Sequence, residues 1–282
     1  LTNKVDRSVT GKVATQQTCG ALQLPLNDVA VMALDYAGFE GVATSIGHAP
    51  VAGLGDAARG SRLSLAEALT NLVWAPLTYG LSGVSLSANW MWPARIEGEN
   101  VRLYDAVEAL SEFAIALGIN IPTGKDSLSM TQKYPDGSMV YSPGTVIISS
   151  VGEVNDIRRT ITPVAQVSED SKLLYLEFST DEFTLDGSSL AQVLNYVGNH
   201  PANVSDPDYF ARSFAAVQHL IHENKIIAGH DISAGGFITA LLEMCFPSTA
   251  CGMDIDLSEI PEPDLVKILF SEKPGVLLQV KD

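Results

Sequence analysis

The chain has 282 residues, enough for roughly two domains, with 46% hydrophobic and 18% charged residues, an ordinary globular composition. Its formal net charge of −16 disfavours non-specific nucleic-acid binding, which needs basic surface. No apolar run reaches the roughly 18 residues of a membrane span, and "LTNKVDRSVTG" lacks the basic and apolar regions of a signal peptide. Cys19, Cys245 and Cys251 form an odd set with no CxxC, which points to a reducing compartment, the cytoplasm, and away from a zinc site. A start at Leu1 and a stop after "FSEKPGVLLQVKD" read as a piece of a longer chain.

In chain order, residues 1–20 read as an N-terminal arm. "PLNDVAVMAL" (25–34) reads as an apolar strand beginning just after Pro25 and Asp28, and "ATSIGHAPV" as a second strand. In "SRLSLAEALTNLVWAPL" (61–77) Leu63, Ala66, Leu69, Leu72 and Val73 recur at helical spacing. "GVSLSANWMWP" (83–93) is a strand ending in aromatics, and "NVRLYDAVEALSEFAIALG" (100–118) an amphipathic helix closed by Gly118. "INIPTGKDSLSM" reads as a short strand and a loop, and "MVYSPGTVIISSVGEV" (139–154) as a strand pair. The polar, unperiodic stretch 155–170 marks a boundary. After it, "SKLLYLEFS" is a strand, "DGSSLAQVLNYVG" and "DPDYFARSFAAVQHLIHENK" are helices, "IIAGHD" is a strand and "GGFITALLEMCF" a helix. "GMDIDLSEI" and "GVLLQVKD" read as strands. Two α/β units result, 21–155 and 160–282, the second ending in an incomplete strand group.

An acidic chain can hold phosphates through helix N-terminal amides or through carboxylates that carry Mg²⁺. Glu67 and Asn71 are four residues apart on one helix face, where they can share a hard cation or simply make a polar face. Asp28 at a strand start needs a base or a metal if buried, and the following strand offers no Lys or Arg. "GHDIS" sets Asp231 at a strand's C-terminal end, where ligands bind in open α/β sheets. His230 beside it reads as a packing residue, and Ser233 as a phosphate contact or a helix cap. "PTGKDSLSM" (122–130) lacks the spacing of a P-loop, but Lys125 and Ser127 suit an anionic substrate or a solvated turn. Asn89, beside Trp90 and Trp92, either faces a ligand or joins core packing. "GLGDAARG" (53–60) matches GxGxxA but follows a poor strand, and no GxSxG elbow exists, which disfavours Rossmann and hydrolase readings.

The order of "DRSVTGKVATQQTCGALQLPLNDVAVMALD", "AEALTN", "LSANWM", "IPTGKDSLSM", "TITP" and "GHDISAGG" resembles the long form of the phosphoribosylformylglycinamidine synthase family, within the superfamily of aminoimidazole ribonucleotide synthetase. The resemblance spans essentially the whole chain. It implies an α/β fold of two domains: a mixed sheet with helices on one side that pairs its open face with a like domain, then an α/β sandwich. It implies an enzyme that converts formylglycinamide ribonucleotide, glutamine and ATP to the amidine in purine synthesis, through an activated iminophosphate. It places Mg²⁺ on Asp28, Glu67, Asn71 and Asp231, and ATP or ADP against Asn27 and Ser233. Lys125, Ser127 and Asn89 become substrate contacts. The family's catalytic His and glycine-rich loop belong to the first half of its synthetase core, and its glutaminase domain follows. Both become expected partners from one longer chain, and a homodimer imitating the paired halves is a further expectation. The resemblance leaves two roles for the nucleotide site, catalytic or a structural Mg–ADP module.

Overall fold

The computed structural model describes residues 11–168, 170–249 and 251–281; the first half of the expected N-terminal arm lies outside them. The N-terminal unit is built on a six-stranded sheet of order β1-β2-β3-β8-β4-β5. Its members are β1 Val13–Thr15, β2 Ala30–Ala33, β3 Gly41–His48, β4 Ser85–Met91, β5 Asn120–Ser127 and β8 Thr145–Val154. Only the β4–β5 pair among them is parallel, so the sheet is mixed.

Helices α1 Pro50–Gly55, α2 Ala57–Leu72 and α3 Glu99–Ala116 belong to this unit. The sheet's alternation explains where they sit. In β3, Ala43, Ser45 and Gly47 are buried, whereas Thr44, Ile46 and His48 are exposed. Ser45 anchors the covered side, its hydroxyl donating to Ala68 O at 2.5 Å within α2. The opposite face stays open: Thr44, Ile46, Ser85, Ser87, Thr123, Ser149 and Val151 line a shallow concavity there.

The second unit is a three-stranded antiparallel sheet, order β10-β11-β9, from β9 Ser171–Glu177, β10 Ile226–Ile232 and β11 Gly275–Lys281. Helix α5, Pro207–His222, packs on one face, and α6, Gly236–Cys245, on the other. Pro at its start and Asp206, whose side chain accepts from Tyr209 N, open α5.

The two units share a core. Leu69, Leu72, Trp74 and Ile148 from the first pack in one cluster with Phe178, Phe210, Phe214 and Val276 from the second. Gln218 of α5 fastens the seam: its amide oxygen accepts from Leu77 N at 2.9 Å and its amide nitrogen donates to Ala75 O at 2.9 Å.

Several expectations need correction. Part of the arm is an edge strand, since β1 pairs with β2. The strand expected just after Asp28 in 25–34 is the short β2, one residue shorter at each end, with Asn27 and Asp28 in the loop before it as expected. Residues 124–127 are strand, because they pair in register with Ala88–Met91 of β4, and not a loop. The two short strands β6 Thr131–Lys133 and β7 Met139–Tyr141 form a separate hairpin whose first strand shows no apolar alternation. Residues 252–260 form no strand, and a short helix, α7 Leu265–Phe270, follows them, capped by the Asp264 carboxylate. The helix expected from "DGSSLAQVLNYVG" shrinks to α4 Ser189–Val193, ended by Asn195 at positive φ.

Candidate functional site

At the seam three side chains from distant parts of the sequence converge. The Asp28 carboxylate comes from the loop before β2, His230 and Asp231 from the end of β10, and one ligand atom of each lies within 4.8 Å of the others. The approach of β10 to the first unit depends on Gly229: a Cβ there would stand 2.2 Å from the Trp74 ring. Strand β10 then runs into the turn Ser233–Gly236. Gly235 and Gly236 sit at φ of 92° and 74°, a backbone open to glycine at little cost, and α6 starts from them.

Within the cluster, His230 Nδ1 lies 2.8 Å from Asp28 Oδ1 and 3.6 Å from Asp231 Oδ1. Its Nε2 lies 3.1 Å from Glu243 Oε2 on α6. The second oxygen of Asp28 accepts from the Asp231 amide at 3.4 Å. Both aspartates are deeply buried, with side-chain exposures of 5% and 3%. Burial pushes the Asp231 carboxyl well above the usual carboxylate range, and the neighbouring Asp28 charge adds to it. Burial likewise raises Asp28, against the pull of His230. For His230 burial alone would favour the neutral ring, but Asp28 and Glu243 outweigh it and hold the imidazolium. Asp231 Oδ2 is buried with no hydrogen-bond partner among the described residues.

Beside the cluster a cleft of ≈ 240 Å³ opens between the units, lined among others by His48, Glu67, Asp186, Ser233 and Glu272. Burial raises Glu67 to about 7; the His48 amide, donating to it at 3.0 Å, opposes the rise, and Glu272 adds to it. Asp186 and Glu272 are occupied otherwise. Asp186 accepts from the Asn199 and His200 amides, both at 2.9 Å, and Glu272 from Ser189 N at 2.7 Å and Gly235 N at 2.8 Å.

The expected cation ligands are thus partly assembled. Asp28 and Asp231 are together, and Glu67 is near enough to Asp231 to raise its carboxyl. Asn71 instead donates to Ile46 O at 3.0 Å, leaving its amide oxygen as the ligand it could offer. Asn27 is turned to the loop behind it, its amide donating to Gln16 O at 2.6 Å and to Thr18 O, with its oxygen buried and unpartnered. Ser233 lines the cleft. Lys125, Ser127 and Asn89 form a separate group on β4 and β5, where Asn89 and Lys125 are register partners and Lys125 Nζ donates to Ser127 Oγ at 3.1 Å.

The donor set fits a hard divalent cation. Carboxylate oxygens suit Mg²⁺ rather than zinc, and an orphaned buried carboxylate oxygen is the group such a cation would satisfy. The sequence reading missed His230, whose partners lie in other elements. It also missed Glu243, which nothing in a helical pattern separates from an ordinary solvated glutamate.

The fold and the site define a class: a mixed-sheet α/β domain joined to an α/β sandwich, with a buried carboxylate pair beside the cleft between them. Comparisons give the family. Residues 1–153 match the family model of the FGAR-AT PurM_N-like domain, and residues 176–281 that of the AIR synthase related protein, C-terminal domain. The chain belongs to this FGAR-AT PurM_N-like family. It is 43% identical over 283 residues to phosphoribosylformylglycinamidine synthase of Homo sapiens, covering 100% of this chain and 21% of that protein. It is 46% identical over 281 residues to the probable phosphoribosylformylglycinamidine synthase, chloroplastic/mitochondrial, of Arabidopsis thaliana, covering 99% and 20%. The chain therefore spans about a fifth of the length of these curated relatives. Among solved structures, T. maritima PurL complexed with FGAR superposes with a TM-score of 0.65 at 13% identity, over 94% of this chain and 41% of that one. T. maritima PurL complexed with ATP gives 0.61 at 13%, over 99% and 41%. At such identity the likeness is one of fold. Among the described residues no helix is long and apolar enough to cross a membrane.

Proposed function

We propose that the chain supplies a Mg²⁺–nucleotide half-site to an ATP-dependent glutamine amidotransferase that makes formylglycinamidine ribonucleotide in cytoplasmic purine synthesis. The observation that carries this reading is the buried Asp28–Asp231 pair with its unpartnered oxygen, set at the edge of a cleft lined by Glu67 and Ser233. The identity of the relatives supports the reaction, and the T. maritima PurL structures complexed with FGAR and with ATP support the ligand classes.

In this reading Asp28, Asp231, Glu67 and the amide oxygen of Asn71 hold Mg²⁺. The bound ion would neutralise polyphosphate charge that a chain of net charge −16 otherwise repels. Ser233 donates to a phosphate at the mouth of α6, and Asn27 contacts the nucleotide if its side chain turns from the loop. Lys125, Ser127 and Asn89 would meet the substrate only across the paired domain, since their strand pair is separate from the cleft. The proposed units are 21–155 and 160–282, preceded by the arm 1–20. The first half of the synthetase core and the glutaminase domain are the proposed partners, and the open face around Ile46 and Val151 is where a like domain, or a second copy, would pair.

A second reading, a structural Mg–ADP module, is favoured by one observation: the core is continuous across the seam, so an occupant of the cleft ties both units together without turning over. Calorimetric titration of ADP tests the shared claim. Binding should require Mg²⁺ and vanish in Asp231→Asn; binding indifferent to Mg²⁺ would refute both readings. Asp28→Asn in the full-length enzyme then separates them, because loss of bound ADP with an unchanged turnover number selects the structural role.

A further inference from the structure

The Asp28 carboxylate is held by more than its own loop. Its Oδ1 faces His230 Nδ1 at 2.8 Å, and the far nitrogen of the same ring meets Glu243 Oε2 at 3.1 Å. The Nδ1 contact is a close ion pair and not an aligned hydrogen bond, so the hydrogen bond that orients the ring is the one between Nε2 and Glu243 on α6. The three residues come from three elements: the loop before β2, strand β10 and helix α6. His230 is 7% and Glu243 32% exposed in the side chain, so the inner contact is dry and the outer one reaches the surface.

We propose that Glu243 is a positioning residue: through His230 it fixes the carboxylate of Asp28 in the orientation a divalent cation shared with Asp231 requires. The inference rests on the cation reading above. Two features favour it over a stray surface contact. Glu243 is the second anchor of a ring whose first anchor is a proposed ligand. It sits on the helix that begins at the Gly235–Gly236 turn, so it links the cluster to the wall that carries Ser233. Residues that hold a metal ligand in place are typically worth about 10–100-fold in metal affinity.

The test is Mn²⁺ binding, read from the loss of the free-ion electron paramagnetic resonance signal, in wild type, Glu243→Leu and Glu243→Gln. Leucine removes the acceptor for His230 Nε2; glutamine keeps an acceptor oxygen in the same place. The expected result is an affinity about 10-fold lower in Glu243→Leu and within about 3-fold of wild type in Glu243→Gln, a rescue that mere packing would not produce. Wild-type affinity in Glu243→Leu overturns the positioning role and leaves the cation reading standing. Equal loss in both variants also overturns it, because the hydrogen bond would then not matter. Should Glu243→Leu not fold, Glu243→Ser takes its place with the same expected loss. A wild-type chain that binds no Mn²⁺ defeats the cation reading itself, and the relay with it.

Discussion

Two groups of polar side chains bear on the proposed function, and they differ in burial. At the seam Asp28, His230 and Asp231 are removed from water, and one carboxylate oxygen goes unsatisfied. On β5 Lys125 is exposed and its ammonium is satisfied by its neighbour Ser127. A buried polar atom without a partner is destabilising, whereas an exposed lysine is solvated at no such cost. The contrast gives the proposed cation at the seam a physical motive and leaves the β5 group resting on resemblance.

The contrast breaks first at Glu67. Its carboxyl is raised from 4.5 to about 7, so folding favours the protonated form. The associated stability is fully present below about 4.5 and is lost as pH rises through about 7; 2.5 units correspond to about 3 kcal/mol. Urea melts of the metal-free chain at pH 5 and pH 8 should differ by about that amount from this group, and Glu67→Gln should flatten the difference. An unchanged pH slope in Glu67→Gln would show that Glu67 is solvated. Next comes Asp231→Asn, which replaces a buried carboxyl that disfavours ionisation beside Asp28 with a neutral amide. The variant should be more stable than wild type without metal by about 1 kcal/mol, or roughly 2–4 °C in melting temperature. It should also lose any upward shift of that temperature on adding Mg²⁺. A less stable variant would mean that Asp231 is a structural pair of His230 and no cation ligand.

Much of the fold was legible because apolar periodicity reports burial directly. The α2 and α3 helices and strands β3, β8, β10 and β11 follow from their own patterns. What failed depended on pairing. Nothing within "TGKDS" reveals a strand, since its residues are mostly exposed and only the β4 backbone beside them makes it one. "GMDIDL" alternates as a strand would, yet Met253, Ile255 and Leu257 pack beside α6 without a strand partner. The site divides the same way. Asp28, Glu67 and Asp231 were noticed because acids at strand ends and on helix faces are chemically conspicuous, but their own patterns left an ordinary polar role open and only the family resemblance joined them into one expected cation site. His230 was read as a packing residue because both its partners come from other elements, Asp28 some 200 positions away in sequence.

The smallest effect belongs to the exposed group. Among the described residues the Lys125 side chain makes one hydrogen bond, to the Ser127 hydroxyl on its own strand, so Lys125→Ala should change stability by less than about 0.5 kcal/mol. It should also leave Mg²⁺-dependent ADP binding untouched, because the described contacts of Lys125 do not reach the cleft. If Lys125 serves a ribonucleotide phosphate in the complete enzyme, the same substitution raises the KM for that substrate alone. A fall in Mg²⁺ affinity instead would join β5 to the seam and erase the distinction between the two groups. The measurement is therefore informative through its smallness: an exposed cation that does nothing for folding and nothing for the metal would have any role confined to a ligand that the seam does not hold.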